Sequence, residues 1–106
     1  MFTVVETEEF SDWLKSLKDA KTRIRLVRRI NKASRGLLGD VKPVGEGVFE
    51  MREFFGPGWR MYYVLREGIV ILMLGGGDKA TQDTDIERAK QLAQELKNDQ
   101  EQDPGV

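Results

Sequence analysis

The residues able to carry chemistry in this 106-residue chain are cations, carboxylates and tyrosines, because the sequence contains neither histidine nor cysteine. Without histidine the chain lacks the commonest general acid–base group and the commonest transition-metal ligand. Without cysteine it has no disulfide and no thiolate zinc site. Any catalysis must therefore use Lys, Arg, Tyr, Asp or Glu, which excludes serine triads, zinc hydrolases and histidine-pair ribonucleases.

An arginine that follows a tight turn is the first candidate for phosphate chemistry. Arg60 comes after Gly56-Pro57-Gly58, in a segment where it alternates with Trp59 and Met61. Successive side chains of a strand point to opposite faces, so we expect Arg60 to point out of the core. A guanidinium stays charged and presents a planar fork to phosphate oxygens. The position therefore predicts either a phosphate ligand or a surface arginine paired with a glutamate.

Further charged residues accompany this turn. Arg52 shares a strand face with Glu50, and Lys79 comes shortly after Gly75-Gly76-Gly77. Consecutive glycines let a backbone approach a ligand closely, although their spacing matches no nucleotide-binding loop. The aspartates near Lys79 lack the spacing of a calcium loop, and helix capping explains them. We predict an anion site here and no metal site.

A block of positive charge lies in the first third of the chain. Residues 15–35 hold nine basic side chains against Asp19 alone, although the whole chain has a net charge of only −1. Such a block indicates a polyanionic partner, an acidic protein that covers it, or a solvated helix face.

The elements that must position these residues begin with a strand at residues 2–7 and two helices. Thr7 caps the first helix, and Asp19 caps the second, which Gly36 ends. The apolar spacing predicts which side chains face inward: Phe10, Trp13, Leu14 and Leu17 in the first helix, and Ile24, Val27 and Ile30 in the second, with the arginines outward.

Three strands and a last helix complete the pattern. Glycines and Pro43 predict a loop over residues 36–47. Strands are expected at 48–54, 59–66 and 69–74, with a hairpin at Glu67-Gly68 and the last strand central. Thr84 is expected to cap the final helix, whose stripe is Ile86, Ala89, Ala93 and Leu96. The order β-αα-βββ-α predicts an α+β fold, a helical hairpin packed on an antiparallel meander.

The length is that of one domain, which we place at residues 1–98, followed by an acidic tail at 99–106. The longest apolar run, six residues, is too short to cross a membrane, and the N-terminus does not resemble a secretory signal. We expect a cytoplasmic protein.

Three ordered motifs resemble the RelE/ParE superfamily of toxins, and within it the phage-derived, HigB-like addiction-module killer proteins. They are the E-x-R strand in GVFEMREFF, the G-P-G-aromatic-R-x-Y-Y strand in GPGWRMYYV, and the connection G-G-D-K-x-x-Q-x-x-D-I-x-x-A. The early W-L-x-x-L-K-D and the basic helix fit the same family. The resemblance covers about residues 8–96.

The resemblance implies a ribosome-dependent messenger RNA endonuclease that needs no metal or cofactor. In the family's chemistry the ribose 2′-hydroxyl attacks the adjacent phosphate. By resemblance Arg60 stabilises the transition state, Arg52 binds the RNA, and Lys79 neutralises phosphate or acts on the leaving group. Glu50 stands where some relatives have a lysine, and is either the general base or an ion-pair partner of the arginines.

The resemblance also implies partners. These are the ribosome with its messenger RNA, and a cognate antitoxin, a small helix-turn-helix protein, in a toxin–antitoxin hetero-oligomer. Tyr62, on the face of Arg60, is expected to stack on a base or to donate a hydrogen bond from its hydroxyl. The expected ribosomal RNA contacts are Arg23, Arg25, Arg28, Arg29, Lys32, Arg35 and Lys42.

Two alternatives stay open on the sequence. The chain could be a non-enzymatic toxin that binds DNA gyrase, as ParE-type proteins of the same fold do. It could also be a degenerate toxin that only binds its antitoxin. Related nucleases often carry a C-terminal tyrosine or histidine near the site, and this chain has neither after Tyr63.

Overall fold

The chain folds into a mixed sheet with helices on both faces. The computed structural model describes residues 1–101, and within them the helices and strands are β1 (Thr3–Glu6), α1 (Glu8–Ser16), α2 (Ala20–Ser34), β2 (Val41–Gly45), β3 (Val48–Arg52), β4 (Trp59–Arg66), β5 (Val70–Asp78) and α3 (Gln82–Glu101). A 3₁₀ turn, Lys79–Thr81, joins β5 to α3. The α+β class predicted from the sequence is confirmed. No helix in this described range is long and apolar enough to cross a membrane.

The sheet has the strand order β1-β5-β4-β3-β2. Strands β3 to β5 form the predicted antiparallel meander, β2 adds to it as an unpredicted antiparallel strand, and β1 pairs with β5 in parallel. Neighbouring parallel strands need a long crossover connection. Here the connection from β1 to β5 starts with α1 and α2 and continues through β2, β3 and β4. The apolar strand β5 lies inside the sheet, between β1 and β4, as expected.

Two apolar cores lie on opposite faces of the sheet. On one face α1 and α2 cover a core that includes Phe10, Leu26, Met61 and Tyr63. On the other face α3 covers a smaller core that includes Tyr62. The sheet is therefore buried on both sides. The sequence predicted that the sheet face with Arg60 and Tyr62 is exposed to solvent. In the structure α3 covers part of this face.

Strand β2 is a correction, because the sequence predicted a loop over residues 36–47. Val41–Gly45 pairs with β3 instead. Pro43 is compatible with this strand because β2 is at the sheet edge, where a missing backbone N–H is tolerated. Lys42 is accordingly an exposed strand residue rather than a loop residue.

The buried stripe of α2 also differs from the prediction. Ile24 and Val27 are 55% and 40% exposed, whereas Ile30 is buried as expected. The residues that face the sheet are Thr22, Leu26, Ile30 and Ala33. The helix is therefore rotated from the predicted orientation, so two aliphatic side chains lie on its outer surface.

The predicted helix boundaries are confirmed in the first half of the chain. The Thr7 hydroxyl accepts a hydrogen bond from the Phe10 backbone N–H at 3.2 Å. The Asp19 carboxylate caps α2, and its hydrogen bond from the Thr22 hydroxyl holds the pKa of Asp19 below its usual value. Gly36 follows α2 with a φ of +91°, a conformation that favours glycine.

The start of α3 differs from the prediction. The helix begins at Gln82, so Thr84 lies inside its first turn instead of capping it. Asp78 accepts a hydrogen bond from the Ala80 N–H at 2.8 Å and begins the 3₁₀ turn. The helix continues to Glu101, beyond residue 98 where the predicted domain ends, and residues 102–106 of the predicted tail lie outside the described part of the chain.

Candidate functional site

Two of the predicted site arginines are neighbours in the sheet. Arg52 of β3 and Arg60 of β4 face each other in the antiparallel register, so their side chains emerge on the same face. Both guanidinium groups lie near the ring of Phe54, with their central carbons 5.6 Å and 5.8 Å from the ring centroid. The structure therefore brings these two cations together, around an aromatic ring that the sequence analysis did not single out.

The base of the Lys79 side chain lies near Arg60 at the glycine turn. A Cβ added at Gly58 would lie 3.4 Å from Lys79 Cβ and 3.6 Å from Arg60 Nη1. Gly58 also has a φ of +83°, which a residue with a side chain rarely adopts. The GPG turn thus lets the exposed Lys79 sit next to Arg60. We call Arg52, Arg60 and Lys79 the cation site.

The Arg60 side chain is buried, which corrects the expectation that it points into solvent. Only 6% of it is exposed. Its Nη1 donates to the backbone carbonyls of Glu53 at 3.0 Å and Trp59 at 3.1 Å. Its Nε has no hydrogen-bond partner among the described residues. Of the three guanidinium nitrogens, Nη1 alone makes hydrogen bonds to the described residues.

Glu50 is the ion-pair partner of Arg60. Its Oε1 lies 3.7 Å from Arg60 Nε, and its side chain is 1% exposed. Its Oε2 accepts a hydrogen bond from Gln82 Nε2 at 2.7 Å. Of the two roles left open for Glu50, this arrangement matches the ion-pair partner, because a carboxylate that is 1% exposed and faces Arg60 and Gln82 is poorly placed to receive a substrate proton. Gln82 belongs to the G-G-D-K-x-x-Q motif, which is the signal that could have identified it.

Arg52 does not share Glu50. Its Nε and Nη2 donate to the two carboxylate oxygens of Asp40 at 3.2 Å and 3.1 Å. About a third of the Arg52 side chain is exposed, so the pair lies at the surface, where ion pairs contribute little to stability. Asp40 stands in the segment that the sequence predicted as loop, and no sequence pattern pointed to it.

Tyr62 was expected to stack on a base, but the residue is fully buried beneath α3. Its hydroxyl has no hydrogen-bond partner within the described range. Burial, followed by the negative charges of Glu50 and Asp85, raises the pKa of Tyr62 well above its usual value. A buried ring offers no face to a nucleobase in this arrangement, whereas the predicted core position of Tyr63 is confirmed.

Arg29 of the basic helix points inward rather than toward a nucleic acid. Its nitrogens donate to the backbone carbonyls of Leu38, Asp40 and Arg52, and Nη1 also pairs with Glu53 at 2.8 Å. The side chain is 11% exposed. Arg29 therefore fastens the segment after α2 to the end of β3, and it is unavailable as a surface cation.

The other basic residues predicted to contact RNA are more accessible. Arg23 donates to the Leu17 carbonyl, and the Arg25 guanidinium lies 3.6 Å from the centroid of the Phe55 ring. The remaining predicted contacts are exposed, namely Arg28, Lys32, Arg35 and Lys42. They make no ion pair with other residues of the described range.

The glycine run has a packing role that differs from the predicted ligand approach. A Cβ at Gly76 would lie 2.5 Å from the Trp13 ring, and one at Gly77 would overlap the Asp85 carboxylate. The run lies inside β5, opposite Met61 and Arg60 of β4. The glycines therefore let α1 and the start of α3 pack closely on the strand that supports the site.

Comparison with known proteins places the chain in a family. The model of the phage derived protein Gp49-like family (DUF891) matches residues 12–98. The chain belongs to this family. A relative in Haemophilus influenzae (strain Rd), an uncharacterized protein, is 43% identical over 90 residues, which cover 85% of this chain and 91% of the relative.

A solved structure shows the same fold. A chain in the crystal structure of the toxin–antitoxin complex RelBE2 from Mycobacterium tuberculosis superposes with a TM-score of 0.61 at 22% identity. The match covers 74% of the present chain and 98% of the other. The family match agrees with the phage-derived branch that the three sequence motifs indicated, and the structural likeness shows that the chain shares the fold of a chain in this toxin–antitoxin complex.

Proposed function

We propose that this protein is the toxin of a type II toxin–antitoxin pair and that it inhibits translation by cutting messenger RNA on the ribosome. The observation that carries the proposal is the cation site, in which Arg52, Arg60 and Lys79 lie together on a RelE-like fold. Cations grouped at the GPG turn and the facing ends of β3 and β4 suit the negative charge that develops on a phosphate under attack.

The proposed chemistry is a metal-independent attack of the ribose 2′-hydroxyl on the adjacent phosphate: the O2′–P bond forms as the 2′ proton passes to water, the P–O5′ bond breaks, and the leaving 5′-oxygen takes up a proton from water. The products would be a 2′,3′-cyclic phosphate and a 5′-hydroxyl end. Arg60 stabilises the charged transition state through Nη2, which makes no hydrogen bond to the described residues, and Glu50 beside the buried Nε is a positioning residue that holds the guanidinium in place. Lys79 supplies the exposed charge next to it.

The antitoxin is the proposed partner of the outer surface of α1 and α2. Ile24 and Val27 are exposed there, in a groove shared with Leu14 and edged by Arg23 and Arg28. Exposed aliphatic side chains surrounded by cations suit an amphipathic, acidic segment of a partner protein. The related fold in the RelBE2 complex occurs with an antitoxin, which supports a protein partner for this chain.

The exposed basic residues of this region are also the proposed contacts to ribosomal RNA: Arg25, Arg28, Lys32, Arg35 and Lys42. Because Arg28 belongs to both proposed surfaces, an antitoxin bound in the groove would compete with the ribosome for the same helix. This overlap offers a physical route to neutralisation that leaves the cation site untouched.

The proposal is tested by inducing the protein in growing bacterial cells and mapping the 5′ ends of messenger RNA. We expect growth arrest and codon-phased cuts with the wild type. Lys79→Ala should weaken both strongly, since Lys79 is exposed and its loss leaves the fold intact. Lys97→Ala, which removes an exposed lysine elsewhere on α3, is the matched control and should behave as wild type.

The same induction separates the alternatives. Intact messages together with DNA damage would indicate a gyrase-binding toxin instead. Normal growth with a stably expressed protein would indicate a degenerate toxin that only binds its antitoxin. Either result would contradict the proposed RNase.

A further inference from the structure

We propose that Phe54 is a stacking platform for a nucleobase of single-stranded RNA, next to the phosphate held by the cation site. The proposal rests on the proposed function in taking RNA as the substrate. It adds a binding residue, Phe54, and a ligand group, the planar base, that the three cations do not supply.

The first observation is the exposure of the ring. Phe54 is 71% exposed at the end of β3, although phenylalanine is among the residues most often buried. Its neighbour Phe55 shows the contrasting case, because that ring is partly buried and lies against the Arg25 guanidinium. Because most of the Phe54 side chain is exposed, its ring offers apolar surface that a planar group can cover.

The second observation is the position of the ring among the cations. Arg52 and Arg60 both place their guanidinium carbons less than 6 Å from the Phe54 centroid. A cation at that distance is attracted to the ring, so the three side chains hold one another in place. A nucleotide carries a planar base and a charged phosphate. At this site an exposed aromatic ring, suited to the base, lies beside the arginines that we propose bind the phosphate.

The chemistry of the surroundings favours a base over a protein side chain as the occupant. The two side chains close to the ring, Arg52 and Arg60, are charged, whereas the exposed aliphatic pair Ile24 and Val27 lies on α2. Base–aromatic stacking contributes about 1–3 kcal/mol per base and accepts any base, because every base has a π-face. The proposed platform therefore orients RNA without setting a sequence preference.

The test compares two short single-stranded RNA ligands of equal length, both 2′-O-methylated so that they cannot be cut. One carries bases, and the other is abasic at every position that could reach the ring. Binding to the purified full chain is measured by fluorescence anisotropy. We expect the wild type to bind the base-containing ligand about 10-fold more tightly.

Substitutions at the ring then identify the residue. Phe54→Ala should lose most of the preference for the base-containing ligand and keep its affinity for the abasic one. Phe54→Trp should retain the preference, and the fluorescence of the new indole should be quenched when the base-containing RNA binds. Ile69→Ala removes another exposed apolar side chain, 56% exposed at a hairpin, and should change neither affinity.

Equal affinities for the two ligands in the wild type, or no measurable binding of either, would overturn the stacking platform. So would an equal loss of both ligands in Phe54→Ala. If Phe54→Ala instead loses only its affinity for the cognate antitoxin, the ring is a protein contact and the proposal is wrong. In each of these cases, codon-phased cuts by the wild-type protein in cells would still support the proposed RNase, so the two proposals fail separately.

Discussion

Two buried arginines of this protein differ in how fully their hydrogen bonds are used. Arg29 engages all three guanidinium nitrogens with three backbone carbonyls and the Glu53 carboxylate. Arg60 uses Nη1 alone, and its Nε has no hydrogen bond to the described residues despite being buried. Both side chains are removed from water to a similar degree.

The difference separates an arginine that holds the fold from one that is available to a ligand. A buried polar group without a partner lowers stability, so folding alone gives no reason to keep one. Around Arg60 two such atoms occur together, Arg60 Nε and the Tyr62 hydroxyl. Conflicts of this kind concentrate at functional sites, which agrees with placing the site at Arg60 and not on the inward side of α2.

The largest expected effect comes from removing Arg29, the arginine whose three guanidinium nitrogens all make hydrogen bonds. Arg29→Met combined with Glu53→Gln removes both charges and leaves the carbonyls of Leu38, Asp40 and Arg52 without their donor. We expect the free energy of unfolding to fall by about 3 kcal/mol, because buried acceptors lose hydrogen bonds. Urea denaturation followed by circular dichroism measures it. A loss under about 1 kcal/mol would show that Arg29 is not the fastening that its contacts indicate.

The matching substitutions at the cation site should reduce activity strongly and stability little. Arg60→Met combined with Glu50→Gln also removes a buried ion pair, but it leaves fewer polar groups unsatisfied. We expect stability to stay the same or rise by up to about 2 kcal/mol, while growth arrest on induction disappears. Strong destabilisation of this variant would contradict the expectation, because it would mean that Arg60, like Arg29, mainly stabilises the fold.

The raised pKa of Tyr62 predicts how the stability of the protein depends on pH. Its pKa is raised by burial in the folded protein, so above pH 10 the unfolded chain loses this proton while the folded chain keeps it. The native state therefore loses stability as pH rises beyond 10. Tyr62→Phe should reduce that loss and leave stability at pH 7 unchanged or raised by about 1 kcal/mol, since it removes an unpaired buried hydroxyl.

Denaturation at pH 7 and at pH 11, with Tyr63→Phe as the matched control, measures the Tyr62 effect. Burial raises the pKa of Tyr63 as well, so some alkaline sensitivity will remain in Tyr62→Phe. A variant that is clearly less stable than wild type at pH 7 would mean that the Tyr62 hydroxyl has a partner after all.

The smallest expected effect concerns the exposed pair of the site. Asp40→Asn weakens the ion pair with Arg52 at the protein surface, and we expect a change of less than about 1 kcal/mol in stability. It also frees Arg52, so binding of the 2′-O-methyl RNA should tighten slightly at low salt and the gain should shrink as salt rises. Unchanged binding at every salt concentration would argue that Arg52 does not reach the RNA.

The fold could be predicted from the sequence where local signals act alone. The caps Thr7 and Asp19 and the hairpin at Glu67-Gly68, with φ of +54° and +72°, are set by residues close together in the chain. The edge strand β2 was missed, because its pairing with β3 overrides the loop signal of Pro43 and the glycines.

The site could be predicted only in part, since residue types indicated the cations and tertiary packing decided their exposure. Arg60 alternates with apolar residues along β4, and Arg29 belongs to the arginines predicted on the outer face of α2, so the sequence predicted that both side chains are exposed. Both are buried. Alternation along β4 separated the two faces correctly, but it could not show that α3 covers the second face. Asp40 and Phe54 lack a repeating pattern, so only the three-dimensional arrangement reveals their place beside the arginines.

The central claim is that the cation site cuts RNA without a metal. It is tested most directly by single-turnover cleavage of a messenger RNA on programmed ribosomes, with the Mg²⁺ that the ribosome itself needs kept in the buffer, and by analysis of the RNA ends. The account predicts a 2′,3′-cyclic phosphate and a 5′-hydroxyl end from the wild type, with a rate about 100-fold lower in the Arg60→Met, Glu50→Gln protein. Ends with a 5′-phosphate and a 3′-hydroxyl, as attack by a metal-activated water would leave, or cleavage by this folded double variant at the wild-type rate, would contradict it.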